Sequence, residues 1–199
     1  MPRAALFACS IGDVSEGALG PWAPKRLGFC NDAELASDLR VPCYACNYYL
    51  TAVHCGTELM RLATMGDGWL QHCAGLAVLD CSGLTQLATV GHDWLFRCTS
   101  LTTLDCSGLG QLTRVGKCWL RQCTSLTALD CSGLVQLATV GDCWLDRCTN
   151  LTTLDCSGLG QLTRVGHSWL RDCSGLTAVA RVSHDLLQSV TGGFVNAPV

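Results

Sequence analysis

This chain is poor in charge. Asp, Glu, Lys and Arg together make up 15% of its 199 residues, and no block of basic residues stands out. Nucleic acid is therefore a poor candidate for the main partner, because phosphate binding needs a concentrated Lys/Arg footprint. No apolar run approaches the length of a membrane-spanning helix. The short apolar run near Ala4–Cys9 sits at the lower limit for a signal-peptide core and lacks a good cleavage site. A catalytic constellation is missing as well. His54, His72, His92, His167 and His184 fall at scattered positions, and none pairs with a nucleophile at a plausible spacing. "GLGQLTRVG" (Gly108–Gly116) lacks the third glycine of a dinucleotide-binding loop. These absences favour a compact, non-enzymatic protein with no cofactor, expected in a reducing, cytoplasmic setting.

What the chain does have is cysteine and repetition. Sixteen cysteines are present, and they follow a period. "LDCSG" begins at Leu79, Leu104, Leu129 and Leu154, a constant step of 25 residues. Trp69, Trp94, Trp119, Trp144 and Trp169 keep that step, as do Cys73, Cys98, Cys123, Cys148 and Cys173. A fixed period in this range is the signature of a solenoid. Units 104–128 and 154–178 are identical at 20 of 25 positions, so a 50-residue pair has been duplicated.

The spacing predicts a solenoid over residues 50–190. Its units are 53–78, 79–103, 104–128, 129–153 and 154–178, closed by a truncated cap at 179–190. Residues 1–49 form an N-terminal cap or irregular segment, with a short helix at Asn31–Arg40, and 191–199 form a tail. "LTAVHCGTEL" (Leu50–Leu59) fits the repeat if His54 takes the aspartate place and Cys55 the cysteine place. Within a unit, "LTTLDCSG" alternates as a short strand does, with Leu104 and Cys106 on one face and Thr103, Asp105 and Ser107 on the other. Leu109, Leu112 and Val115 follow at steps of three and suit a second extended or 3₁₀ segment. "GKCWLRQC" (Gly116–Cys123) has helical spacing.

At this point the unit resembles a leucine-rich repeat. "LTTLDCSGL" fits its opening L-x-x-L-x-[L/C], and "VGKCWLRQCTSL" is similar to the V/I-G-x-x-A-F-x-x-C-x-x-L of the BspA-like (Treponema pallidum-type) repeats. Trp119 stands where that family has a small residue, and the unit is about two residues longer. The resemblance implies an α/β solenoid with a parallel sheet on the concave side, short helices or turns on the convex side, and protein binding as its use. It also raises a cell-surface role, if the chain belongs to a longer secreted product.

Stacking turns each repeated position into a column. Cys55, Cys81, Cys106, Cys131 and Cys156 form one inward column, and Cys73 through Cys173 form another; small buried thiols suit both. Cys118 and Cys143 share their slot with Gly68, Asp93 and Ser168, so they are surface thiols and the best oxidant targets. The tryptophan column is expected in the core. Arg114 and Arg164 recur in alternate units, on a solvated face. The strongest metal candidate is "CYAC" (Cys43–Cys46) with Cys30 and His54, an incomplete zinc set.

The outward column Asp80, Asp105, Asp130 and Asp155, flanked by Thr103, Thr153, Ser107 and Ser132, gives an acidic, hydroxyl-lined face. Two roles are open to it. It suits a basic peptide, a basic protein surface or a cation, and its aspartates also suit local bonds to backbone N–H groups. Two functional classes remain: a protein-interaction module, and a thiol-rich redox-responsive or zinc-binding protein.

Overall fold

A computed structural model of the chain describes residues 9–10, 51–55 and 59–180. The expected N-terminal helix, most of both caps and the tail lie outside these residues. Each unit contributes two short strands, and the strands of successive units pair in parallel. The first series is β2 (Ala52–Cys55), β4 (Val78–Asp80), β6 (Thr103–Asp105), β8 (Ala128–Asp130), β10 (Thr153–Asp155) and β12 (Ala178–Ala180). The second is β3 (Thr64–Met65), β5 (Thr89–Val90), β7 (Arg114–Val115), β9 (Thr139–Val140) and β11 (Arg164–Val165). An additional strand, β1 (Cys9–Ser10), pairs antiparallel with β2, so Cys9 lies opposite Cys55. It covers the first edge of the sheet, where unpaired backbone would otherwise be exposed.

Register follows the repeat. Leu79 pairs with Leu104, Leu154 with Leu129, and Val115 with both Val90 and Val140. His54 pairs with Asp80, the alignment expected from the degenerate first copy. The second series forms one continuous five-stranded sheet, β11-β9-β7-β5-β3. The first is interrupted between β6 and β8, leaving sheets of order β1-β2-β4-β6 and β12-β10-β8. The interruption falls where one 50-residue pair meets the next.

One core runs through all units. Leu79, Leu104, Leu129 and Leu154, both cysteine columns except half-buried Cys173, and the tryptophans are buried. The indoles of Trp94, Trp119 and Trp144 stack with centroids 5.4 Å apart and planes within 2°. An aromatic side chain of this size buries roughly 150–250 Å², or about 4–6 kcal/mol of apolar transfer. The Nε1–H groups of Trp94, Trp119, Trp144 and Trp169 are buried without an acceptor among the described residues. Each such donor costs about 1–3 kcal/mol.

The helical expectation is corrected. Among the described residues there is no α-helix, so the architecture is a parallel β-solenoid of about five turns rather than α/β. In "HDWLFRC" (His92–Cys98), Asp93, Leu95 and Arg97 have φ near +60°, and the corresponding residues of the next three units do the same. This alternation turns successive peptide groups along the solenoid axis. Asp93 N–H donates to Lys117 O, Leu95 N–H to Trp69 O and Arg97 N–H to Arg121 O. A single helical turn is marginal by itself, whereas this geometry shares the backbone groups with both neighbouring units. Left-handed conformations cost a non-glycine residue roughly 1–2 kcal/mol each, so the inter-unit bonds and the packing beneath them must offset that strain.

The units also stack closely at the glycine that follows each second-series strand. A Cβ on Gly116 would lie 2.5 Å from the carbonyl carbon and oxygen of Gly91, whereas one on Gly110 would meet nothing nearer than Gly133 O at 3.9 Å. Gly116→Ala is expected to lower unfolding free energy by about 2 kcal/mol or more, since backbone must move to relieve the clash. Gly110→Ala should be close to neutral. Chemical denaturation of the two variants side by side checks this.

Candidate functional site

Two outward columns carry polar chemistry, one on each series of strands. On the first, Asp80, Asp105, Asp130 and Asp155 alternate with the buried leucine and cysteine of their strands, so the pleat faces them outward. Each has a local role. Oδ1 of every one accepts the backbone N–H of the serine two residues on (Ser82, Ser107, Ser132 and Ser157), in all cases at 2.8 Å. This bond closes the turn that leaves the strand. At Asp80 the Ser82 N–H holds the carboxyl below the usual carboxylate range, with help from the Ser82 hydroxyl and from His54. His54 Nδ1 lies 3.3 Å from Asp80 Oδ2, so the first copy ends the acidic column with an imidazole. Thr103, Thr153, Ser107 and Ser132 flank the column and are exposed.

The second series carries more polar chemistry than its residues suggest. Its outward column reads Thr64, Thr89, Arg114, Thr139 and Arg164. Beside it lies the slot Asp67, His92, Lys117, Asp142 and His167, and from Arg114 and His92 onward the two columns line a groove of about 740 Å³. The slot residues cap one another's units. Asp67 Oδ1 accepts the His92 N–H, His92 Nδ1 the Lys117 N–H, and Asp142 Oδ1 the His167 N–H. Lys117 has no acceptor to offer, and instead its Nζ pairs with Asp142 Oδ2 at 2.9 Å. Lys117 and the His167 N–H hold the Asp142 carboxyl below its ordinary value. The sequence signal was present in "LTRV", where Leu112 and Val115 are buried and Arg114 is exposed. It was obscured by the step of three from Leu109 to Val115.

A third cluster was not anticipated. Asp146 is fully buried, and its carboxylate is held by Arg121 Nε at 2.8 Å and by Arg171 Nε at 3.0 Å. In this slot Phe96 precedes Arg121, whose guanidinium lies 5.5 Å from the phenyl centroid. Only a buried charge so enclosed is tolerable, and removing one partner from such a group costs about 3–5 kcal/mol. The cluster reads as structural.

The twelve cysteines from Cys55 to Cys173 are all free thiols. The second column has a hydrogen-bonding role that its hydrophobicity did not reveal. Cys98, Cys123, Cys148 and Cys173 donate S–H to the carbonyls of Leu70, Leu95, Leu120 and Leu145, at 2.9–3.2 Å. Each acceptor is a left-handed leucine. A valine of similar size would leave that carbonyl without its donor. Cys118 and Cys143 are half-buried. Burial, then Asp93 and Cys143, push the Cys118 thiol up, which disfavours the reactive thiolate. Of the zinc candidates, Cys30, Cys43 and Cys46 lie outside the described residues, and His54 is engaged with Asp80. Among the described residues no three His, Cys, Asp or Glu side chains gather as a metal site, and no helix is long and apolar enough to cross a membrane.

No protein-family model matches the chain, and no curated protein matches it. Among solved structures, the chain is similar to a T. pallidum leucine-rich repeat protein at 18% identity, over 75% of this chain and 81% of that one, with a TM-score of 0.34. A functional domain of InlJ from Listeria monocytogenes, described as including a cysteine ladder, is 19% identical over 69% of this chain and 46% of that one, with a TM-score of 0.15. At these scores the description of the fold rests on the strand register alone.

The thiol columns give the protein a pH dependence. Burial pushes Cys106 and Cys156 up to about 12 and Cys173 to about 11, from an ordinary value of 9.0. Between those values the unfolded chain loses protons that the folded chain retains, so stability falls as pH rises. It is intact below about pH 9, and each buried thiol removes about 1.4 kcal/mol per pH unit above that. Unfolding curves from pH 7 to 11 should show a steep alkaline loss. In a separate titration at pH 8, native thiols should react slowly with a disulfide reagent.

Proposed function

We propose that this chain is a non-enzymatic interaction module that takes a basic peptide or protein surface on the aspartate column. The observation that carries this reading is the division of labour within the carboxylates. Asp105 and Asp130 each commit Oδ1 to a serine N–H. Their Oδ2 atoms make no hydrogen bond or ion pair among the described residues and are left to face solvent or a partner. Fixing one oxygen orients the other, which lowers the ordering cost of binding. Adjacent carboxylates at strand spacing repel by on the order of 1 kcal/mol per exposed pair. A cationic partner relieves that repulsion, so affinity gains from a feature that costs the free protein stability. The resemblance to leucine-rich repeats, whose use is protein binding, supports the same class of function. A solenoid also offers a long, regular surface at little conformational cost.

Asp105→Asn with Asp130→Asn keeps the oxygen that caps the turn and removes the charge. Binding of an oligo-arginine peptide to the folded double variant should weaken about tenfold at low ionic strength, and the difference should fade as salt screens the charges. Equal binding by the variant and the parent chain would refute the role of this face. Fast modification of most native thiols would instead favour the thiol-responsive reading.

A further inference from the structure

The six arginines from Arg97 to Arg171 divide into two groups. Arg97 donates to Gln122 Oε1 at 2.7 Å, Arg121 and Arg171 clasp Asp146, and Arg147 lies 3.4 Å from Asp172. Arg114 and Arg164 are exposed and have no side-chain hydrogen bond or ion pair among the described residues. They stand on the outer face of the second sheet, where Arg114 registers with Thr139 and Thr139 with Arg164. Two strand steps separate them, about 9.6 Å. Both line the groove of about 740 Å³, together with Gly116, Gly141 and Gly166, which place no side chains in it. The remaining cation there, Lys117, is already matched by Asp142. The groove's uncompensated charge is therefore that of two arginines whose backbone positions are held two strand steps apart.

We propose that this groove binds an extended acidic segment of a partner protein, with two carboxylates three residues apart in polyproline II conformation. The spacing selects the ligand. Polyproline II has three residues per turn and rises about 3.1 Å per residue, so side chains at i and i+3 share a face about 9.3 Å apart. That matches the arginine pair within a few tenths of an ångström. A β-strand places same-face side chains about 6.8 Å or 13.6 Å apart and does not match. The sheet's interior backbone groups are spent on neighbouring units, as in Gly116 N–H to Val90 O and Gly141 N–H to Val115 O. A ligand is therefore read by side chains, and it needs no free backbone edge of its own. Polyproline II, which makes no internal hydrogen bonds and is stiff before binding, meets that condition. Guanidinium–carboxylate pairing can be bidentate, which fixes orientation as well as charge. The alternation of arginine and threonine in successive units thereby acquires a use: Thr139 leaves room between the two contacts.

Two proline-rich peptides of equal composition test this on the intact chain by fluorescence anisotropy at low salt. One carries two glutamates three residues apart, and the other carries them adjacent. The first should bind about tenfold tighter, and Arg114→Gln with Arg164→Gln should abolish the preference while leaving thermal stability unchanged. Binding of neither peptide, equal affinity for both, or unchanged selectivity in the double variant would overturn the proposal. So would tighter binding of oligo-dT, which would make the groove a general polyanion surface. Oligo-arginine binding at the aspartate column provides an independent readout, so failure at one face is distinguishable from failure at the other.

Discussion

Every unit of this protein must accept a near-copy of itself as its neighbour, one strand spacing away. That constraint, in-register stacking at a 25-residue step, governs what each position can hold. Leucine over leucine and indole over indole satisfy it directly, and the parallel Trp94–Trp119–Trp144 stack is its largest apolar expression. Glycine over glycine satisfies it where backbones meet, as at Gly91 and Gly116. Cysteine satisfies it twice over, because a small thiol packs against its own copy and also supplies a donor for the leucine carbonyl of the preceding unit. A strand of two or three residues has no stability alone, so the fold exists only through these interfaces.

Charge is the difficult case, since identical charges stacked at this spacing repel. The protein handles it in two ways. Where the column is buried or clasped, the repeat is broken: Arg121, Asp146 and Arg171 alternate in sign, as do Lys117 and Asp142. Where the column faces out, the repeat is kept and the carboxylates are stabilised one at a time by serine N–H groups. The first solution is structural. The second leaves an unrelieved potential on the surface, and Arg114 and Arg164 of the other sheet, which have no side-chain hydrogen bond or ion pair among the described residues, leave one of opposite sign. Those two surfaces are the ones proposed above to take partners of complementary charge.

Much of this was legible from the residues. The constant step of Leu79, Leu104, Leu129 and Leu154 dictated the stacking, and the alternation around Asp105 dictated which side chains face out. The resemblance of His54–Cys55 to the Asp–Cys pair located the first strand's register. What misled was the spacing of Trp119, Leu120 and Cys123. Three apolar residues at helical intervals look the same whether a segment closes its own hydrogen bonds or shares them with its neighbours. Left-handed Leu120 and Gln122 cannot be anticipated from propensity, because only the adjacent units make that conformation worthwhile. Asp146 was invisible for a related reason: its partners sit 25 residues away on either side, in slots that elsewhere hold Gln71 and Phe96. The two-residue strand at Arg114–Val115 was too short for its alternation to register against the leucine steps around it.

Removing one whole unit tests the central claim most directly. Excision of residues 79–103 leaves every remaining position above a counterpart and keeps Arg121 and Arg171 on Asp146, whereas excision of 79–90 destroys the register of all that follows. Urea unfolding of the first variant should remain cooperative, with an m-value reduced in proportion to the surface lost, and the second variant should fail to fold. A chain that unfolds when the whole unit is removed, or tolerates the half-unit deletion equally well, would contradict an architecture built from in-register interfaces.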